Sequence, residues 1–553
     1  MLSLIISQIF QIEEIKIEGN NFLSKKEIYE TLRIKKKDEF SRIKLKSAIS
    51  RLYSKYYSLG FFKININYNY AFSEKGGVVV NIKIDEGTRF YIKRIDFEGD
   101  VLLDSLIYLI PKKLPIPYLD EFVNNLETQI YYLYYNQGYP FISLQRDTAF
   151  EGDSFINLKE KIYAGKRILI KSIRIEGNHN VRDGILFKEI SIKVPEYFNY
   201  NKIIESIQRI YSLRLFRSVN YKIENDSILI FQVSEVAQRY LETKLGLTYP
   251  YFLNLGLILG HLNIFGNAQN LEISLNGLFS YSNDKFILND RSININYRER
   301  YFLDKRDLFL NASLIYSKYG QIGQLGDYGK TEEISLNNEI LRQFSRYFYT
   351  NFGISIKRTI TLGYEDSRFI ILTYQKLSYD DRNSYLDATR GFILSLSVSE
   401  AFGQAGFIKL TQNYSKYFYS FAFRIRSGQI FGKDIPYSEK FFLGGEGSVR
   451  GYLNNSIGYV IDNLQPASNY FLNGNFEYRW RINNFFGMVF FYDFAIVSND
   501  FENLIRSNVY SGYGLGFRFY INFIPIRFDF AINPNSHIFP KDIFVYFSIG
   551  NMF

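Results

Sequence analysis

Two kinds of apolar periodicity divide the chain. Up to about residue 236, short runs of period 2 alternate with segments whose apolar residues recur every three or four positions; beyond it only the period-2 alternation continues. In the first part Ile12-Glu13-Glu14-Ile15-Lys16-Ile17-Glu18-Gly19-Asn20 returns as Ile92-Lys93-Arg94-Ile95-Asp96-Phe97-Glu98-Gly99-Asp100, and again as Ile170-Lys171-Ser172-Ile173-Arg174-Ile175-Glu176-Gly177-Asn178. The glycines stand 80 and 78 residues apart, a regularity that marks a repeated structural unit. Each copy predicts a strand ended by a glycine turn. A short helix should follow, as over 24–32, where Ser24 is the N-cap and Glu27 completes a capping box. A second helix is predicted from Leu45, Ile49, Leu52 and Tyr56 before Gly60, and from Phe122, Leu126, Ile130 and Leu133 before Gly138. In the third copy Ile203, Ile207, Ile210 and Tyr211 keep the spacing without a terminal glycine. Strands over 78–84, 155–162 and 228–233 close the units. The order strand, helix, helix, strand, strand makes an α+β module of about 75 residues.

The remaining 317 residues read differently. Leu271, Ile273 and Leu275 alternate with Glu272, Ser274 and Asn276; Leu394, Leu396 and Val398 alternate with Ser395, Ser397 and Ser399. Near the end Tyr513, Leu515, Phe517 and Phe519 oppose Gly514, Gly516 and Arg518. One face of such strands suits lipid and the other water. At about 20 residues per strand and connection, the region holds roughly 16 strands of membrane-crossing length.

Composition sharpens this picture. Aromatic residues make up 18% of the chain, with 47 Tyr and 52 Phe, yet no apolar run reaches the length of a helical membrane span, about 20 residues. Aromatic girdles on a barrel account for both facts. Without cysteine the chain has no disulfides and no thiolate metal site, and His179, His261 and His537 are too scattered to hold a metal. No metal and no cofactor is therefore expected. The net charge of +10 is spread along the chain, which argues against nucleic-acid binding; Lys35-Lys36-Lys37 reads as a solvated turn. Residues 1–10 are apolar with no basic residue ahead of them and read as a degenerate signal segment.

The stretch Gly444-Gly445-Glu446-Gly447-Ser448-Val449-Arg450-Gly451-Tyr452 describes a loop tip that must turn tightly and approach other atoms closely. It is no phosphate cradle, because no Lys-Ser/Thr follows the glycines, and no nucleophile elbow, because Ser448 is not centred in G-x-S-x-G. No catalytic residue is expected. Val449-Arg450-Gly451-Tyr452 resembles the VRGY/F signature of the BamA/TamA superfamily of outer-membrane assembly and translocation barrels. Asp387-Ala388-Thr389-Arg390-Gly391-Phe392 is similar to its D-P-T-R-G-Y/F motif, with Ala388 in place of proline, and Asn475-Phe476-Glu477-Tyr478-Arg479 to its E-Φ-R strand. Phe491-Tyr492-Asp493-Phe494-Ala495 and Ile524-Pro525-Ile526-Arg527-Phe528-Asp529-Phe530-Ala531 resemble two further barrel motifs, the second with Ile524 where glycine is usual. Gly550, three residues before Phe553, is similar to the family's C-terminal signal. The repeats resemble POTRA modules.

The resemblance implies α+β POTRA repeats followed by a transmembrane antiparallel β-barrel. The expected divisions are 1–10, a signal segment; 11–87, 88–165 and 166–236, three POTRA-like modules; and 237–553, the barrel. It implies a bacterial outer-membrane location with the N-terminal modules in the periplasm, and a non-enzymatic insertase that receives unfolded outer-membrane protein clients. Lipid, and periplasmic or inner-membrane accessory proteins, are the other implied partners. Three modules look closer to TamA-like members. Translocation of an extended polypeptide through the lumen is the alternative; a passive porin or adhesin would leave the repeats unexplained.

Alternation gives the motifs a face. Lipid-facing Phe476, Tyr478 and Trp480 send Glu477, Arg479 and Arg481 inward; Met488, Phe490, Tyr492 and Phe494 send Phe491 and Asp493 inward. By resemblance Arg450 latches the loop inside the lumen, with Asp493 as first partner and Glu477 as second, and Asp387, Arg390, Gly391, Arg527 and Asp529 are barrel-motif residues. The seam to open joins strands near 240–248 and 543–550, where Gly550 and Asn551 would weaken pairing.

Overall fold

The computed structural model describes residues 10–74, 76–102, 104–248, 252–282, 285–319, 330–362, 366–459, 466–521, 524–534, 543–550 and 552–553. The signal segment, except Phe10, and Asn551 lie outside the described residues. The chain divides into two compact units: the first two modules with part of the third, and the barrel with the rest of the third.

In the first module β1 (Ile12–Glu18) precedes α1 (Lys25–Leu32) and α2 (Arg42–Ser58), then β2 (Asn65–Phe72) and β3 (Val78–Asp85). Both halves of the capping box form: the Ser24 hydroxyl accepts from Glu27 N–H, and the Glu27 carboxylate accepts from Ser24 N–H at 2.8 Å. The sheet runs β1-β3-β2, with β1 parallel to β3, and the helices bury Ile28, Leu32, Leu45, Leu52 and Tyr56 against it. The second module has β4 (Tyr91–Gly99), β5 (Ile116–Pro117), α3 (Asp120–Asn136), β6 (Ser143–Glu151) and β7 (Phe155–Tyr163), in sheet order β5-β4-β7-β6. Its first helix is a 3₁₀ turn, Asp104–Leu109, and not the α-helix expected by analogy with the first copy. Pro111, Pro115 and Pro117 follow closely and cannot continue a helix. The third module has β8 (Leu169–Ile170), β9 (Ser172–Glu176), α4 (Asp183–Glu189), β10 (Glu196–Tyr197), α5 (Tyr200–Ser212), β11 (Phe216–Glu224) and β12 (Ile228–Glu235).

The repeated glycine has one physical reason in all three copies. Gly19, Gly99 and Gly177 have φ of +82°, +83° and +94°, and a Cβ on them would lie 2.0, 2.4 and 2.1 Å from the carbonyl oxygens of Ile84, Ile162 and Val233 on the closing strand. Only glycine allows that approach.

Among the described residues sixteen consecutive antiparallel strands, β13 to β28, form the barrel, from β13 (Arg239–Thr248) to β28 (Ile543–Ile549). The alternation read from sequence holds: Leu394, Leu396 and Val398 are exposed outward, as are Phe476, Trp480, Phe490 and Tyr492, while Glu477 and Asp493 are fully buried inside. Ladders between neighbours are long, except at the closure. There, among the described residues, β13 and β28 pair at one position, Thr248 with Tyr546. No helix of the described residues is long and apolar enough to cross a membrane.

Candidate functional site: a loop fixed inside the barrel

The long connection from β23 (Phe421–Lys433) to β24 (Tyr470–Arg481) turns back into the lumen, as burial of its tip shows: Val449 and Arg450 are both 0% exposed. Beyond β24 lie β25 (Phe486–Ser498), β26 (Val509–Ile521) and β27 (Ile524–Ile532), and their inward faces receive the tip.

Arg450 spends every guanidinium nitrogen on a carboxylate. Its Nε and Nη2 donate to the two oxygens of Asp493 at 2.7 and 3.0 Å, and Nη1 donates to Glu477 at 2.9 Å and to Asp529 at 2.8 Å. The Arg450 backbone N–H adds a bond to Asp493 Oδ2 at 3.1 Å, and the guanidinium carbon lies 3.6 Å from the centre of the Phe491 ring. Bidentate pairing with the fork of Asp493 fixes the plane of the group, and the ring beneath it adds a cation–π contact. Arg518 and Arg479 balance the carboxylates: Arg518 Nη1 lies 2.6 Å from Asp529 Oδ1, and Arg479 Nη2 lies 2.8 Å from Glu477 Oε2. Glu446, three residues before Val449, pairs with Arg527. Asn475 donates to Asp493 at 2.9 Å and to the Ser448 carbonyl at 2.6 Å.

The backbone can lie this close because β26 presents glycines inward. A Cβ on Gly512 would sit 1.8 Å from the Arg450 carbonyl oxygen, and one on Gly516 would sit 2.1 Å from Asp529 Oδ1. Val449 packs into an apolar cluster with Leu443, Ile457, Ala495 and Val497. At the loop's root Glu439, 5% exposed, pairs with Lys357 on β19 (Phe348–Thr361) and Lys409 on β22 (Gly406–Phe418). Since β19 and β27 are eight strands apart in a ring of sixteen, the loop is tied to opposite walls. Beside it remains a cavity of about 370 Å³, lined by polar residues such as Lys376, Thr411 and Arg426 with Phe441 and Phe471.

The structure thus brings Arg450, Asp493, Glu477, Arg527 and Asp529 together, with Val449, Gly451 and Tyr452 on the same tip. It does not bring Asp387, Arg390 and Gly391 there. They form a turn on the rim where β13 starts, with Asp387 3.6 Å from Arg481, Arg390 over Tyr419 and Gly391 at φ +97°. Arg481 keeps the parity of Glu477 and Arg479 and is solvent-exposed at that rim, its guanidinium carbon 4.1 Å from the centre of the Tyr520 ring. Gly550, at φ +92°, ends β28, and its N–H donates to the Pro525 carbonyl. Phe553 packs against Ala388, Tyr417 and Ala422, and its carbonyl oxygen accepts from Arg479 at 3.1 Å. Sequence reasoning did not place Asp529, Arg518, Glu446 or Glu439 in the anchoring set, and it missed Tyr546, whose hydroxyl meets the tip. The parity of β26 and β27 was the signal available for Arg518 and Asp529. Among the described residues no group of three or more His, Asp or Glu could hold a metal ion.

Repeated α+β modules, a sixteen-strand barrel and a loop pinned in its lumen define an outer-membrane barrel protein of the POTRA-bearing class. The Omp85 superfamily domain matches residues 263–553, and POTRA, described as a surface antigen variable number repeat, matches residues 10–87 and 168–236. The chain belongs to the Omp85 superfamily. It is 22% identical over 537 residues to outer membrane protein assembly factor BamA of Nitratidesulfovibrio vulgaris, covering 88% of this chain and 66% of that protein. It is 23% identical over 400 residues to BamA of Buchnera aphidicola, covering 65% and 64%. The chain therefore spans less than two thirds of the length of these curated relatives. The crystal structure of BamA from Haemophilus ducreyi lacking POTRA domains 1–3 shares the fold, with a TM-score of 0.66 at 16% identity over 83% of this chain and 99% of that one.

Proposed function

We propose that the protein is an outer-membrane assembly factor: its periplasmic modules receive unfolded β-rich clients, and the barrel inserts them by parting β13 from β28. The observation that carries this reading is the closure itself. Every other neighbouring pair of barrel strands forms a ladder, whereas β13 and β28 share one described pair, Thr248 with Tyr546. An unpaired strand edge in a bilayer is costly, and a client strand that supplies the missing hydrogen bonds removes that cost. In the same reading Arg450 and its carboxylates are a latch that holds the loop, with no catalytic duty.

The reading is tested by locking the seam. Leu245 and Ile549 face outward on β13 and β28, at positions that continue the Thr248–Tyr546 register. Because the chain has no cysteine, Leu245→Cys with Ile549→Cys forms a single defined disulfide. Client insertion into liposomes should stop on oxidation and return on reduction. Insertion that continues through a locked seam, but stops when the lumen is plugged, would replace insertion by translocation.

A further inference from the structure

The residue that closes the barrel is also the residue the loop tip holds. Tyr546 on β28 is the described partner of Thr248 across the seam. Its side chain points into the lumen and is 2% exposed. The hydroxyl accepts from the Gly451 N–H at 3.2 Å and donates to the Tyr452 carbonyl at 3.0 Å. On its other flank Tyr546 is the register partner of Asp529, which accepts from Arg450 at 2.8 Å. Three consecutive loop residues, Arg450 to Tyr452, therefore grip two neighbouring positions on the last two strands, and one of those positions is the seam pair.

We propose that Tyr546 is a keeper: its hydroxyl, clamped by the backbone of Gly451 and Tyr452, transmits the seating of the loop to the closing strand and holds β28 in register with β13. This rests on the reading that the seam opens, and deepens it by naming what holds it shut. The hydroxyl has a donor and an acceptor on the tip, so both its hydrogen-bonding roles are satisfied only while the tip is seated. Withdrawing the tip removes both bonds and leaves the hydroxyl to lumen water, so the constraint the tip placed on β28 is lost. β28 is held to β27 by a ladder of seven pairs, and this clamp adds a hold at the one described position where β13 meets it.

The test follows the seam without any client, so it can fail while insertase function stands. In the full chain reconstituted in liposomes, the rate of disulfide formation between Leu245→Cys and Ile549→Cys reports how often the strands are in register. Tyr546→Phe keeps the ring and removes both hydroxyl bonds; it should slow crosslinking by about five-fold, the size of a buried hydrogen-bond loss. Arg450→Ala, which unseats the tip and leaves Tyr546 intact, should slow it at least as much, and the double variant no further than Arg450→Ala alone. Heat-dependent gel migration identifies the folded fraction on which rates are measured. An unchanged rate in Tyr546→Phe overturns the proposal, as does an additive effect in the double variant. Should Tyr546→Phe not fold, an unchanged rate in Arg450→Ala overturns it by itself.

Discussion

Asp529 stands between two guanidinium groups, its Oδ2 2.8 Å from Arg450 Nη1 and its Oδ1 2.6 Å from Arg518 Nη1, with all three residues shut off from solvent. It links the loop to the wall: Arg518 and Asp529 belong to the strands, and Arg450 arrives from the loop. Removing one partner from such a set leaves a buried charge uncompensated, at a cost of about 3–5 kcal/mol. Arg450→Ala is expected to release the tip, read as new protease cleavage within 444–459 and as loss of client insertion. Arg450→Lys should rescue only partly, because one ammonium cannot hold Asp493 bidentately and reach Glu477 and Asp529 as well. Asp529→Asn keeps the shape and removes the charge, and should loosen the tip less than Arg450→Ala.

Gly512→Ala tests the glycine lane on β26. The added methyl would meet the Arg450 carbonyl oxygen at 1.8 Å, and that oxygen belongs to backbone held by four side-chain bonds. The loop must lift, so cleavage of the loop should increase while the barrel still folds. Gly447→Ala is the matched control: nothing lies within 4 Å of its Cβ position, and the change should be silent.

Much of this is legible in the sequence because period 2 assigns a face to every strand residue. Alternation alone puts Glu477, Phe491 and Asp493 inside, and the regular return of Gly19, Gly99 and Gly177 marks the modules. Period 2 does not give the stagger between strands, which decides whose carboxylates lie at one height in the barrel. Asp529 is therefore visible as inward but not as a partner of Arg450, 79 residues away. Tyr546 is hidden for a different reason. Aromatic residues on barrel strands suggest the lipid face, and nothing in Phe544-Val545-Tyr546 tells an inward phenol from an outward one. The reason for Gly19 is equally hidden, since the carbonyl that excludes a side chain belongs to Ile84, on the far side of two helices in sequence.

The second module carries a pH dependence of its own. Glu160 on β7 occupies the place held by Ile82 in the first module and Phe231 in the third, and it is 0% exposed. Arg146 Nε lies 3.3 Å from it, and Arg146 also pairs with Glu127 at 2.5 Å. Burial, reinforced by the charge of Glu127 and opposed by Arg146, pushes the Glu160 carboxyl up from 4.5 to about 7. The folded state thus holds this proton more tightly than the unfolded chain. Its contribution is fully present below pH 4.5 and is lost as pH rises from there through about 7. The full effect is on the order of 3 kcal/mol. Amide exchange in β6 and β7, corrected for intrinsic rates, should show protection falling between pH 5 and about 7.5. Glu160→Gln should flatten that dependence and raise protection at the upper end.

Glu439 offers a way to separate the loop's two anchors. It holds the root through Lys357 and Lys409, and Lys409 Nζ also donates to the Glu439 carbonyl at 2.8 Å. The tip is held independently by Asp493, Glu477 and Asp529. With the tip unseated the root should still keep the loop within the barrel, and losing both anchors should free it. Glu439→Gln leaves two partly buried lysines facing a neutral amide, which weakens the root and leaves the tip contacts in place. Planar-bilayer conductance distinguishes the cases, since the loop tip occupies part of the lumen. Glu439→Gln should raise conductance modestly and without new protease cleavage at the tip, whereas Glu439→Gln with Arg450→Ala should raise it well beyond the sum of the single effects. Purely additive conductances would mean that the two anchors do not share the work of holding one strut across the barrel.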